Sequence, residues 1–436
     1  MLDVDDDEPR KAAAAALGRI GAPRAVPSLL PLLSANSDVA VVAAGALGAI
    51  GDDRAFAPLV AQLDHPHAGV RQAVVAAINS IGHPDTPARA MALLSDPSPH
   101  VREAAVKLAG YQGAEGAVDA ILALRTDVDE VVSRIATEQL SHFNDPRARA
   151  AVVDDLESRR PDVRAAAVRA LVHVPSSEAI PLLARACLDE DPWVRYYAAR
   201  SIGHHGRTEA VSTIVSLAID DPVSPVRIAA VEALAEIGDH AGIVALAPLV
   251  RDPDAAIACP VMLALAGANA PGILPLLLEQ LSSDDRSRRL AALEAMRRCA
   301  DPEAVPVLAS VAANTADPEL ATVAMQALGE IGGAVAIDAL IALAQFPRRD
   351  IEVLAALDRL DAQPMPHVAA GLSHPSVDVR CIVIEALSRS GSDAVVPHLT
   401  ESLGDTDPTV QFAATYALDR IARRSSTFNQ RGSDAR

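Results

Sequence analysis

Hydrophobic and polar positions follow two nested rhythms along this chain. Within short stretches, apolar residues recur every three or four positions, the period of a helix with one buried face. AVPSLLPLL (25–33) and AIPLLARACL (179–188) read this way. Over longer distances the same wording returns: VRQAVVAAINSIG (70–82), VRIAAVEALAEIG (226–238) and VRCIVIEALSRSG (379–391). Aligning on the Arg of each VR pair places anchors at 10, 40, 71, 102, 133, 164, 195, 227, 258, 289, 321, 350, 380 and 411, with intervals of 29 to 32. Eight anchors are arginine: Arg10, Arg71, Arg102, Arg164, Arg195, Arg227, Arg289 and Arg380.

Each copy predicts two helices. The first has its Pro near the start, where a missing N–H costs little. A turn rich in Asp and Pro follows, as in SDPSPH (95–100) and DEDP (189–192), and its Asp can cap the next helix. The second helix carries VRxxAAxxAL, and a Gly such as Gly51, Gly82, Gly206, Gly238 or Gly332 closes it. Self-similarity at about 31 residues predicts a solenoid. The expected fold is an all-α, right-handed α-solenoid of about fourteen stacked helix pairs, a single array over 1–424, with a disordered polar tail at 425–436. The copies around 127–145, 255–270 and 345–362 depart most from the common wording.

The pattern resembles HEAT-like repeats of the phycobilisome-lyase type, DPxxxVRxxAxxALGxIG followed by xxAIPxLxxxL, over about residues 7–423. The resemblance implies that each VR arginine bonds to Asp and backbone groups of neighbouring turns. It also implies that the second helices line a concave groove. The same repeat serves many functions.

Numbered from the anchor, positions +2, +3, +4 and +7 are mostly Ala, Val, Ile or Leu and are expected to be buried. Positions +1, +5 and +9 lie one turn apart and form a free stripe. The +9 positions of four consecutive copies are Tyr111, His142, His173 and His204. Their +5 neighbours are Lys107, Glu138, Arg169 and Arg200. The seventh copy adds Tyr196 at +1, and Trp193 just before the VR pair. The chain has one Trp and four Tyr, so the crowding at 193–197 marks this copy out. The expected partner-binding groove comprises Tyr111, His142, Arg169, His173, Trp193, Tyr196, Arg200 and His204. Tyr197, at the small apolar +2 slot, reads as packing.

Composition narrows the chemistry. The formal net charge is −19, which disfavours nucleic acid and anionic lipid as partners. No apolar run reaches the length of a membrane span. Four cysteines, Cys187, Cys259, Cys299 and Cys381, lie far apart with no CxxC spacing, which fits a reducing cytoplasm. Cys187 and Cys299 occupy apolar slots and read as core. No P-loop, GxSxG or GxGxxG motif occurs. Histidines one repeat apart are expected to stand a helix spacing apart, too far to share a metal ion. No His is followed by Glu, so the paired iron ligands of HEAT-repeat deoxyhypusine hydroxylases are missing. No cofactor or metal is expected.

The expected function is a non-enzymatic scaffold that binds a protein or peptide through acidic contacts around copies four to seven. The resemblance offers an alternative, an accessory protein that handles a tetrapyrrole or other prosthetic group on a client protein. The acidic start, MLDVDDDEPR, and the arginines near the end, Arg420, Arg423 and Arg424, suggest end-to-end self-association.

Overall fold

The computed structural model describes residues 6–433 apart from 114–115, 347–348, 360–364 and 391, with side chains described to 424. The described residues are helical throughout, in short pairs, without a β-strand. The fold is therefore the expected all-α solenoid. Contacts group the chain into two compact units, Met1–Thr213 and Ile214–Arg436, where the sequence pattern suggested one array.

In the first unit the second helices of the pairs are Asp7–Ile20, Ser37–Ile50, Ala68–Ile81, Pro99–Gln112, Glu130–Leu140, Pro161–Ala170 and Pro192–His205. In the second they are Ser224–Ile237, Ala255–Gly267, Arg286–Cys299, Pro318–Ile331, Asp350–Leu357, Val377–Arg389 and Pro408–Ser433. Every anchor falls on one of these helices, including those in the three divergent copies. The last helix runs over much of the segment read as a tail. Within each unit each second helix packs on the next, and most first helices pack on the second helix of their own pair.

The burial pattern follows the period. At anchor 102, positions +2 to +4 (Ala104, Ala105, Val106) and +6 to +8 (Leu108, Ala109, Gly110) are buried, while Tyr111 at +9 is exposed. Small residues at +6 and +8 set how closely neighbouring helices approach. A Cβ added to Gly48 would stand 2.8 Å from the backbone Cα of Ala77 in the next pair, so only glycine fits there.

The recurring turn has a definite electrostatic purpose. Anchor arginines donate to the carbonyls five and six residues upstream: Arg71 to His65 and Pro66, Arg102 to Asp96 and Pro97, Arg195 to Asp189 and Glu190, Arg289 to Ser283 and Asp284, Arg380 to His374 and Pro375. The guanidinium also reaches the first Asp of the following turn, 25 residues on. Arg102 holds Asp127 at 2.7 and 2.9 Å, Arg164 holds Asp189 at 2.7 and 2.8 Å, and Arg380 holds Asp405 at 2.8 Å. Arg227 pairs with Asp252 in the same way. The same Asp accepts the N–H two residues on (Asp129, Asp191, Asp254, Asp407), and in the first three turns that second Asp caps the next helix.

Copies without the arginine improvise. Gln411 donates to the Asp405 carbonyl at 2.6 Å, the acceptor an anchor arginine would use. Ser133 donates to the Arg125 carbonyl, and Arg125 itself reaches Asp155, which also accepts from Thr137.

Arg164 and Asp189 are both largely buried, so Arg164→Ala strands a carboxylate and is expected to cost about 1–3 kcal/mol. Denaturant unfolding and hydrogen-exchange protection of helices Pro161–Ala170 and Pro192–His205 read the loss. Arg380 and the turn N–H hold the Asp405 carboxyl below its usual range. In Asp127 and Asp189 burial pushes the carboxyl up, but the guanidinium and the turn N–H outweigh it. These links are complete above the unfolded carboxylate range near pH 4 and are lost as pH falls through the lower folded values. The unfolding midpoint should therefore drop on acidification below about pH 4, with a shallower slope in Arg164→Ala.

One helix end departs from the pattern of the other copies. Helix Arg286–Cys299 closes on Ala300 at φ 48°, the left-handed region where the other copies commonly place glycine. Ala300→Gly should stabilise the chain by about 0.5–1 kcal/mol, seen as a raised melting temperature.

Candidate functional site

The +1 positions of three consecutive pairs in the first unit are Arg134, Ala165 and Tyr196. Ala165 is small and buried, and its size leaves a depression between the larger side chains on either side. Arg134 forms one wall, Trp193 and Tyr197 the other, and Arg169 lies between them. Pro161, Asp162 and Asp191 complete a shallow groove of 480 Å³.

The aromatic wall is fixed at a helix start. Asp191 caps helix Pro192–His205, accepting from the Trp193 N–H at 2.8 Å and the Val194 N–H at 3.2 Å. Trp193 is 57% exposed. Its ring meets Tyr196 edge-on at 5.5 Å and lies 6.3 Å from Tyr197, while Tyr196 and Tyr197 meet edge-on at 5.2 Å. The Arg169 guanidinium stands 4.5 Å over the Tyr197 ring and pairs with Glu138 of the preceding repeat.

Most charges in the groove are matched. Arg169 has Glu138, Asp191 holds two backbone N–H groups, and Asp162 pairs with Arg160 at 2.6 Å. Arg134 differs. Among the described residues it makes no hydrogen bond or ion pair, and its Nε is buried without a partner. A larger depression of 580 Å³ lies beside the Asp-rich turns, walled by Arg159, Arg164, Arg185, Glu157, Asp189 and Glu190 among others. Opposite charges cancel there: Arg164 is committed to Asp189 and Arg185 to Glu157.

The structure divides the strip expected from sequence. Trp193 and Arg169 line the groove, and Tyr196 supports it from behind without lining it. His142 and His173 form a separate pair, ring centres 4.4 Å apart at 44°, on a pocket of 270 Å³ that also includes Ser141, Asn144 and Arg149. The expectation that helix spacing keeps these rings apart is corrected. Their α-helices, Glu130–Leu140 and Pro161–Ala170, stop before +9: His142 sits on a turn, His173 ends the short 3-10 helix Leu171–His173, and the two rings lean together. In the neighbouring helices Pro99–Gln112 and Pro192–His205 the +9 residues remain helical. Tyr111, 68% exposed, makes no ring contact with His142 among the described residues, nor does His204 with His173. Arg200 is exposed and engaged in an interaction of its own.

Sequence reasoning assigned Tyr197 to packing, yet the structure makes it half-buried and a groove wall. It also passed over Arg134 as a site residue. The signal that could have found both is Ala165, a small residue at +1 between two large ones. His205, adjacent to His204, is structural: Nε2 meets the Leu171 carbonyl and Nδ1 the Ser176 hydroxyl, each at 3.1 Å. Cys187 is core, and burial pushes its thiol up to about 12. Cys299, expected in the core, is only half-buried, because it ends its helix. Among the described residues no group of three or more His, Cys, Asp or Glu side chains could hold a metal, and no helix is long and apolar enough to cross a membrane.

Stacked helix pairs locked by anchor arginines define a class, the HEAT repeats. The HEAT-repeat family model matches residues 1–79, 56–141, 119–196, 186–266, 274–361 and 365–427, and the chain belongs to that family. No curated protein matches the sequence. Among solved structures the fold is similar to yeast importin-beta, Kap95p, with a TM-score of 0.55 at 16% identity, covering 100% of this chain and 71% of that one. Importin beta in an ammonium sulfate condition gives 0.52 at 13% identity, covering 97% and 76%. A Kap95p structure described as binding RanGDP gives 0.51 at 14%, covering 96% and 65%. At these identities the likeness is one of fold.

The histidine pair yields a prediction of its own. Partial desolvation of an otherwise exposed residue first, and then the neighbouring His173, hold His142 below the ordinary histidine pKa. His173→Ala removes the second contribution, so the NMR titration midpoint of His142 should rise toward about 6.5.

Proposed function

We propose that this protein is a non-enzymatic interaction scaffold that binds an extended acidic segment of a partner protein in the groove of the first unit. The observation that carries the reading is Arg134, a guanidinium with a buried, unpartnered Nε beside an exposed aromatic wall. A carboxylate arriving in the groove would pair with the terminal nitrogens of that guanidinium in a charge-assisted bond. Trp193 and Tyr197 offer flat area for the residue next to that carboxylate, at little entropic cost. Arg169 and Asp162 are committed to ionic partners and Asp191 to the helix start, so among the described groove residues Arg134 is the cation left for an arriving anionic side chain. The importin-like fold is compatible with this role but does not specify it.

Trp193 is the chain's sole tryptophan, so its fluorescence reports the groove directly. A peptide array probed with the full chain should select Asp or Glu beside Pro or an aromatic residue. Selected peptides should shift Trp193 emission and bind more weakly as salt rises. Arg134→Gln should weaken binding about tenfold or more. An array without sequence preference, or equal binding by Arg134→Gln, would rule the reading out. A tetrapyrrole handled by the same groove would instead give a stoichiometric absorbance change with a free bilin, the result expected of a lyase-like accessory protein of the phycobilisome type.

A further inference from the structure

The imidazoles of His142 and His173 come from consecutive repeats, and their ring centres are 4.4 Å apart. Neither ring has a hydrogen-bond partner among the described residues, in contrast to His205, whose two nitrogens are both occupied. Both rings are exposed, and both line the same 270 Å³ pocket. Two imidazoles on one ion, with bonds of about 2.0–2.1 Å, place their ring centres about 4.5 Å apart at a right angle and a little over about 5 Å apart at the tetrahedral angle. The pair stands at 4.4 Å and 44°, closer than that range by less than about 1 Å, a gap that side-chain rotation closes.

We infer that His142 and His173 form a two-nitrogen site for a borderline divalent ion such as Zn²⁺, with water completing the coordination. Imidazole suits such ions, and hard cations such as Mg²⁺ and Ca²⁺ prefer oxygen. Metal binding requires the neutral imidazole, so the ion should be released on acidification. Arg149 is the one cation lining the pocket, and its charge is opposed by Glu178 at 3.6 Å. Ser141 is turned to its own helix, donating to the Glu138 carbonyl, so the two rings and the Asn144 side chain are the donors the pocket offers.

The position gives the ion a mechanical consequence. One turn before the histidines, Arg169 of the sixth pair already reaches Glu138 of the fifth. An ion between His142 and His173 would add a second tie across the same junction. It would thereby stiffen the two repeats that contribute Arg134 and Arg169 to the groove.

The test is a Zn²⁺ titration of the full chain at pH 7.5, followed by the ring resonances of all histidines and by thermal unfolding. Resonances of His142 and His173 should move together and saturate at one ion per chain, with a rise in melting temperature. His142→Ala and His173→Ala should each lower the affinity at least tenfold, and His204→Ala should leave it unchanged. Circular dichroism establishes that the variants are folded. Rings that do not move, that move independently, or that give way to undiminished binding in His142→Ala would overturn the site. So would joint movement with inorganic phosphate instead of Zn²⁺, which would mark the pocket as anionic in preference.

Discussion

Everything in this fold hangs on one multiply shared guanidinium. An anchor arginine neutralises the carbonyls of its own turn and, in four copies, grips an aspartate of the next. That aspartate orders its own turn through a backbone N–H, and the residue two places on commonly caps the following helix. Helix start, turn shape and the spacing to the next pair are therefore settled by one cluster. The Ala-rich interface alone could not do this, because small apolar surfaces slide over one another with little preference for register. A charge bonded from several directions admits one register only.

The anchors also explain why the divergent copies still stack. Where the arginine is missing, other donors tie the turns: Gln411 takes the turn carbonyl an arginine would use, while Ser133 bonds to the Arg125 carbonyl and Arg125 reaches Asp155. The tie between turns persists though the donor and, in the Ser133 copy, the acceptor change. A family pattern built on the arginine is thus broader in chemistry than in wording.

The period was legible along the chain because apolar burial and turn chemistry repeat together, and all fourteen anchors landed on second helices, including Ser133, Ala258 and Asp350. The face carrying +1, +5 and +9 was legible for the same reason. What escaped was local. The spacing of 31 that aligned Tyr111, His142, His173 and His204 says nothing about where each helix stops. Helices Glu130–Leu140 and Pro161–Ala170 end early, ahead of Pro146 and Pro175, and this brings two rings together and leaves the others apart. Tyr197 escaped because a +2 slot is usually filled by a small residue. Its ring found room outside only because Ala165 left the space and Arg169 covered one face.

The link between an anchor arginine and the aspartate 25 residues on also bears on how such a chain lengthens. Donor and acceptor lie on opposite sides of a repeat boundary, yet their separation is shorter than the repeat. Any tandem duplication of one period, wherever the breakpoints fall, copies one donor and one acceptor and re-forms the missing partnership across the new junction. Growth by gene duplication is thus electrically neutral at the joint, which makes the number of repeats far easier to change in evolution than their internal length.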